Sequence, residues 1–352
     1  STLTIAANGT LSAPRGNLTL AQTTGSDAIN NSGAFTHNNG TVVLDGSGSG
    51  QYVSRYGGTS SISFYNLTPS TTGYHAEIWR DITVENTLTI GSNKHLRLAS
   101  SARTVTLTMG TTSAAGTIAI TDANTFDMYQ NSSNAVTVAG ASSLYPAVLT
   151  GPTDALDFTT ASGTTKFSNI DMQFDLVTGI GNNTIQLTGD CEFDAVTVSS
   201  GDTLDLNGQR MECSGVFTNS GTVDNTGDNA TFIYLDSANL DGAWSNDSKL
   251  HIIAQPTGNI TSGFDFNDAD IASTATRVIN AGSYEMDAGL AMSDDPSNLI
   301  IASGTLDMNG NSALLANNLT IATGGTLDAD SATLTVAGDF TTSGGLLGAS
   351  CL

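Results

Sequence analysis

What most constrains this chain is a phrase of about 20 residues that recurs along it with apolar positions alternating against threonine. Val196 to Gly208 reads VTVSSGDTLDLNG, Leu299 to Gly310 reads LIIASGTLDMNG, and Leu319 to Asp330 reads LTIATGGTLDAD. Weaker copies begin at Leu3 (LTIAANGTL) and Leu88 (LTIGSNKHLRL). Gly-Thr followed by a branched apolar residue starts at Gly9, Gly40, Gly116, Gly221, Gly304 and Gly325, the last two 21 residues apart. A second phrase, NSGAFTHNNGTV from Asn31, returns as CSGVFTNSGTV from Cys213. Self-similarity at this period defines a stacked repeat, because one such unit cannot bury its apolar face alone.

Within each copy the alternation has period two, as in Leu88-Thr-Ile90, Val136-Thr-Val138 and Leu334-Thr-Val336. Period two places side chains on opposite faces of a strand. Threonine, polar yet β-branched, suits the half-exposed face. Asn-Gly, Ser-Gly and Gly-Gly pairs between the runs permit the positive φ that tight corners need. No stretch carries helical spacing; the nearest, Ala313 to Leu319, is short and holds two Asn. Short strands with one superhelical return per coil predict an all-β parallel β-helix (β-solenoid) of about 20-residue coils, about 16 in number. The competing arrangement is a sandwich of hairpins. The coils divide into an N-terminal run over 1–145, with an aromatic-rich irregular stretch near 51–80, and a C-terminal run over 146–352, the proline-bearing stretch from Tyr145 marking the junction.

Ten Lys and Arg face 33 Asp and Glu, a formal charge of −23. That charge repels nucleic-acid phosphates and anionic lipid surfaces, so no nucleic-acid partner is expected. No apolar run reaches the ~20 residues that span a bilayer, so no membrane insertion is expected, and the first residues lack the features of a signal peptide. Opening on Ser1 rather than Met, the chain has two readings, a processed product or a part of a larger polypeptide.

The stretch from Gln51 to Arg80 gathers four of the eight Tyr and one of the two Trp. Tyr52, Tyr56, Tyr74 and Trp79, with Trp244 farther on, are the candidates for contact with a glycan or a neighbouring chain, since these rings offer apolar area with a polar tip. The competing reading has these aromatics covering an irregular coil. Asp265, Asp268 and Asp270 form the densest acidic cluster and are weak metal candidates, with structural calcium the cofactor they would suit. Asp is equally a good turn residue in a chain full of turns. The four His show no two-His metal spacing, and no nucleophile elbow is present, so no catalytic residue is assigned. Cys191 and Cys213 stand about one coil apart, which puts a disulfide between neighbouring coils within reach; a pair of small buried thiols is the other reading.

The phrases GAFTHNNGTVVLDGSGSGQ, SFYNLT and DITVENTLTI resemble the Gly/Thr/Asn-rich β-solenoid repeats of bacteriophage tail fibres and other appendages and of bacterial secreted adhesins. The resemblance covers most of Ala28 to Ile90, and Val196 to Gly221 is of similar style. It implies a non-catalytic extracellular structural or adhesive protein, in a virion or on a bacterial surface, that forms homo-oligomers or filaments and faces cell-surface glycans. The alternative is a β-helix polysaccharide lyase or tailspike-type glycosidase, which would need a carboxylate pair beside an aromatic platform.

Overall fold

The computed structural model describes residues 2–351 except 24, 48–49, 72–74, 100–103, 130–134, 159–162, 180–181, 228–230, 235–236, 240–242, 246–250, 255–258, 261–275, 280–282, 286–289, 293–297, 311–312, 316–317, 331 and 349. Among the described residues there is no helix; parallel strands stack as a β-solenoid of about 11 turns at a spacing of roughly 23 residues. The turns are fewer and longer than a uniform 20-residue coil would give. Among the described residues no helix is long and apolar enough to cross a membrane.

Two compact units are present, Ser1–Cys191 and Glu192–Leu352. In the first, one wall is a seven-stranded parallel sheet: Leu3–Ile5, Ser26–Asn31, Gln51–Val53, His75–Ile78, His95–Ala99, Phe126–Tyr129 and Leu156–Asp157. Ile29, Val53, Ile78, Leu98 and Met128 point inward from successive members and are fully buried. The facing walls supply Phe64 stacked on Val84, and Leu107 stacked on Val138, which stacks on Phe167, all with 0% exposure. This is the predicted inward column, one apolar side chain per coil. Coil length varies because the turns do. Phe64 to Val84 takes 20 residues, whereas Leu107 to Val138 takes 31. The longer coils carry protruding turns closed by the antiparallel bridges Thr111↔Ala114 and Ser142↔Tyr145. The proline-bearing stretch lies inside this unit, where Ala147–Thr150 pairs with Thr117–Ile120 on one side and Ile170–Met172 on the other.

In the second unit the recurring phrases stack directly on one another. Asn298–Asp307 pairs with Leu319–Asp328, so that Leu299 meets Leu319, Ile301 meets Ile321, and Thr305-Leu306-Asp307 meets Thr326-Leu327-Asp328. Thr203–Asp205 pairs in the same way with Thr222–Asp224. The repeated Asp is a turn former: Asp205 Oδ1 accepts from Asn207 N at 2.9 Å and Asp307 Oδ1 from Asn309 N at 2.8 Å. Asn207 and Asn309 take φ of 47° and 45°, each followed by a Gly at 73°. The short apolar run near Ala313 is a strand, Ala313–Leu315, pairing with Thr333–Val336.

Cys191 and Cys213 do not form the disulfide that their spacing permits; both are buried thiols. Their sulfurs are engaged by different carbonyls. Cys191 Sγ donates to Gly189 O at 3.3 Å, and Cys213 Sγ to Asp194 O at 3.6 Å and Gly215 O at 3.7 Å. Burial pushes the Cys191 thiol up to about 12, which keeps it protonated and unreactive at neutral pH.

Candidate functional site

In-register stacking turns the outward positions of the seven-stranded sheet into a ladder. Asp27 lies opposite Tyr52, Tyr52 opposite Glu77, Glu77 opposite Arg97, Arg97 opposite Asp127, and Asp127 opposite Asp157. The irregularity between Asp27 and Ile29 is what brings Asp27 into this row. Six consecutive coils thus contribute one side chain each.

Glu77 is the hub. Trp79 Nε1 donates to its Oε2 at 2.7 Å, His75 Nε2 lies 2.5 Å from Oε1, and Arg97 Nη1 and Arg55 Nη1 approach at 3.6 and 3.8 Å. Burial pushes the Glu77 carboxyl up, but hydrogen bonds from His75 and Trp79 and the charges of His75 and Arg97 more than reverse this, leaving it below the usual range. Arg97 also donates through Nε to Asp127 Oδ2 at 3.0 Å and covers the Tyr129 ring at 4.8 Å.

Beside the hub, three of the aromatics singled out from sequence converge on one guanidinium. Arg55 lies 4.4 Å from the centre of the Tyr52 ring, 4.5 Å from Trp79 and 5.1 Å from Tyr56. Tyr52 and Tyr56 meet edge to face at 5.7 Å. Asp27 holds the segment in place, accepting from Arg55 N at 2.7 Å and Tyr56 N at 3.0 Å. Burial and the nearby Glu77 charge raise the Tyr52 hydroxyl above its ordinary value. Tyr52 and Trp79 are only 7% exposed, whereas Tyr56 is 67% exposed. The buried pair and Arg55 therefore form the support, and the Tyr56 ring is the surface they present.

Tyr74, Asp265, Asp268 and Asp270 lie outside the described residues. Trp244 belongs to the strand Ala243–Ser245 of the second unit, opposite Val223; its side chain is outside the described set. Among the described residues no group of three His, Cys, Asp or Glu is placed to hold a metal.

A smaller polar cluster sits where the strand Ile82–Ile90 bulges between Val84 and Thr87. Glu85 Oε1 accepts from Ser63 Oγ at 2.6 Å and lies 3.1 Å from His37 Nε2, while the His37 ring stacks on Tyr65 at 5.7 Å. The carboxylate stands between the hydroxyl and the imidazole. Ser63 therefore meets the carboxylate and not the imidazole, which is not the Ser–His–carboxylate order of a catalytic triad.

Sequence reasoning found the rings and missed the charges that organise them: Arg55, Glu77, Arg97, Asp127 and Asp157. One signal was there to be read. Five of the ten cationic residues, Arg55, Arg80, Lys94, Arg97 and Arg103, fall within one short stretch of an otherwise acidic chain. The chain matches no family model, no curated protein and no solved structure.

Proposed function

We propose that this β-solenoid is a non-catalytic extracellular structural and adhesive protein, a component of a fibre, spike or surface filament, with a bacteriophage appendage favoured over a bacterial adhesin. Self-association into a homo-oligomer or filament and contact with cell-surface glycans are the partners this role requires. The observation that carries the reading is the exposed Tyr56 ring, backed by Arg55, Tyr52 and Trp79 on the outward side of a stacked sheet. An exposed tyrosine held rigid from behind suits sugar stacking, because ordering the platform has already been achieved by the fold. The Gly/Thr/Asn-rich repeat style of Ala28 to Ile90, which resembles that of phage appendages and of bacterial adhesins alike, supports the structural and adhesive role.

The enzymatic alternative draws on one feature, the carboxyl pair Asp127 and Asp157. Glycosidases separate their two carboxyls by about 5 to 9.5 Å so that a sugar or a water fits between. Asp127 and Asp157 are register partners one coil apart, and Asp127 is already paired with Arg97, whose Nε and Nη2 both lie 3.0 Å from its Oδ2. The two roles separate in one pair of measurements on the purified protein. A glycan array read with the native protein and with Tyr56→Ala is expected to show binding that drops about tenfold or more in the variant. Incubation with bacterial surface polysaccharide is expected to release no new reducing ends or unsaturated uronates; sustained turnover would overturn the non-catalytic reading.

A further inference from the structure

Asn-Gly occurs four times in the chain, beginning at Asn8, Asn39, Asn207 and Asn309, each time between two strands. All four Asn take the left-handed conformation, with φ of 66°, 59°, 47° and 45°, which Asn tolerates at a corner. In such a pair the glycine nitrogen can attack the preceding side chain, because no Cβ shields it. The fold treats the four glycine nitrogens differently. Gly9 N donates to Ala6 O at 2.8 Å, Gly40 N to His37 O at 2.9 Å and Gly208 N to Asn225 Oδ1 at 2.9 Å. Gly310 N has no hydrogen-bond partner among the described residues. Gly310 is exposed, and a Cβ added to it would meet nothing within 4 Å. Exposure of the asparagine does not draw this distinction, since Asn8 and Asn39 are exposed as Asn309 is.

We propose that Asn309 is a site of spontaneous modification: the free Gly310 nitrogen closes on the Asn309 side chain and converts it to an acid, while the other three pairs are held back by the hydrogen bond on their glycine nitrogen. The chemistry is independent of what the protein adheres to.

Gly310 N attacks Asn309 Cγ. The N–Cγ bond forms, the Cγ–Nδ2 bond breaks, and ammonia leaves with the proton that Gly310 N gives up. Water then opens the five-membered imide at either carbonyl. Addition at Cγ gives aspartate; addition at the backbone carbonyl gives isoaspartate, whose main chain runs through Cβ and Cγ and is longer by one atom. Nothing is oxidised or reduced. A glycine nitrogen that already donates must first break that bond, so its reaction is limited to the moments when the corner is open. The following coil shows that the corner accepts the aspartate product. There Leu327-Asp328-Ala329-Asp330 stands where Leu306-Asp307-Met308-Asn309 stands one coil earlier, and Asp330 takes φ of 46° against 45° for Asn309. Conversion to aspartate therefore leaves the coil intact and adds a negative charge beside Asp307, whose Oδ1 accepts from Asn309 N at 2.8 Å.

The test incubates the whole chain at mildly alkaline pH, once in native buffer and once in concentrated urea, and follows all four asparagines by mass-spectrometric peptide mapping. In native buffer Asn309 is expected to convert about tenfold faster than Asn8, Asn39 or Asn207, each of which must first open a backbone hydrogen bond. In urea, where those bonds are gone, the four are expected to convert at comparable rates. Asn225→Ala, which takes the acceptor from Gly208 N, is expected to bring Asn207 up to the rate of Asn309. Equal native rates at all four positions, or a lead of Asn309 that persists undiminished in urea, overturn the proposal. An Asn207 that stays slow in a folded Asn225→Ala chain overturns the hydrogen bond as the source of protection. Should that variant fail to fold, the native and urea arms on the unaltered chain decide.

Discussion

Gly325 illustrates how one atom fixes the coil. It lies in register with Gly304 of the coil before, and a Cβ added to it would collide with the Ile301 carbonyl oxygen, with Ile301 Cγ2 a further obstacle at 2.9 Å. Gly40 and Gly221 meet the carbonyls of Pro14 and Ser199 in the same way, so at these three positions the glycine of the recurring Gly-Thr phrase is a site of close backbone approach between coils. Gly325→Ala is expected to destabilise the second unit by about 2–4 kcal/mol, because the obstacle is backbone that cannot rotate away. Gly16→Ala, where nothing stands within 4 Å of the added carbon, is expected to stay within about 0.5 kcal/mol of the native chain. Urea melts of the two variants check the contrast. Equal losses would mean that the recurring glycine is a habit of composition rather than a steric requirement.

At the scale of strands, the Glu77 hub ties three consecutive coils through Arg55, His75, Trp79 and Arg97. The lowered Glu77 carboxyl contributes stability that is present above its ordinary value of 4.5 and is lost as pH falls through the native value. Glu77→Gln is expected to flatten that acid-side loss while lowering stability at pH 7, and Glu77→Ala to cost about 3 kcal/mol there by leaving Arg97 and Arg55 without their shared carboxylate. Thermal melts between pH 3 and 7 test both; an unchanged acid slope in Glu77→Gln would show that the hub does not couple to folding. The sequence made the strands legible because alternation is a local property: Leu319-Thr-Ile321 and Thr326-Leu-Asp328 can be read off as strands and lie where the alternation puts them. The ladder was not legible. Asp27, Tyr52, Glu77, Arg97, Asp127 and Asp157 are separated by 25, 25, 20, 30 and 30 residues, so no fixed period links them, and only the turn lengths decide that they meet. The aromatics were visible as a concentration, but Trp79 and Tyr52 being support and Tyr56 surface depends on where Asp27 anchors the segment between them.

For the whole chain, the governing property is that each coil touches mainly its neighbours, so stability accumulates coil by coil. A coil is then a removable unit, provided the register across the cut is kept. Deleting residues 306–326 joins Thr305 to Leu327, and because Leu306 and Leu327 occupy the same inward column, every later residue keeps its face. The shortened chain is expected to retain a β-sheet circular dichroism spectrum and a cooperative melt, with a lower urea midpoint because one stacking interface is gone. Deleting residues 306–315 removes about half a coil instead. It sets Leu319 and Ile321, now 0% exposed, against positions that the preceding coil gives to its turns. That chain is expected to aggregate or to melt without cooperativity, since its apolar column is broken and unpaired strand edges are left open. If both deletions behave alike, the inward column is not what aligns the coils; if the whole-coil deletion alone folds, the recurring phrase is the structural unit, and the length of the solenoid is a quantity that whole-coil insertion or loss can adjust.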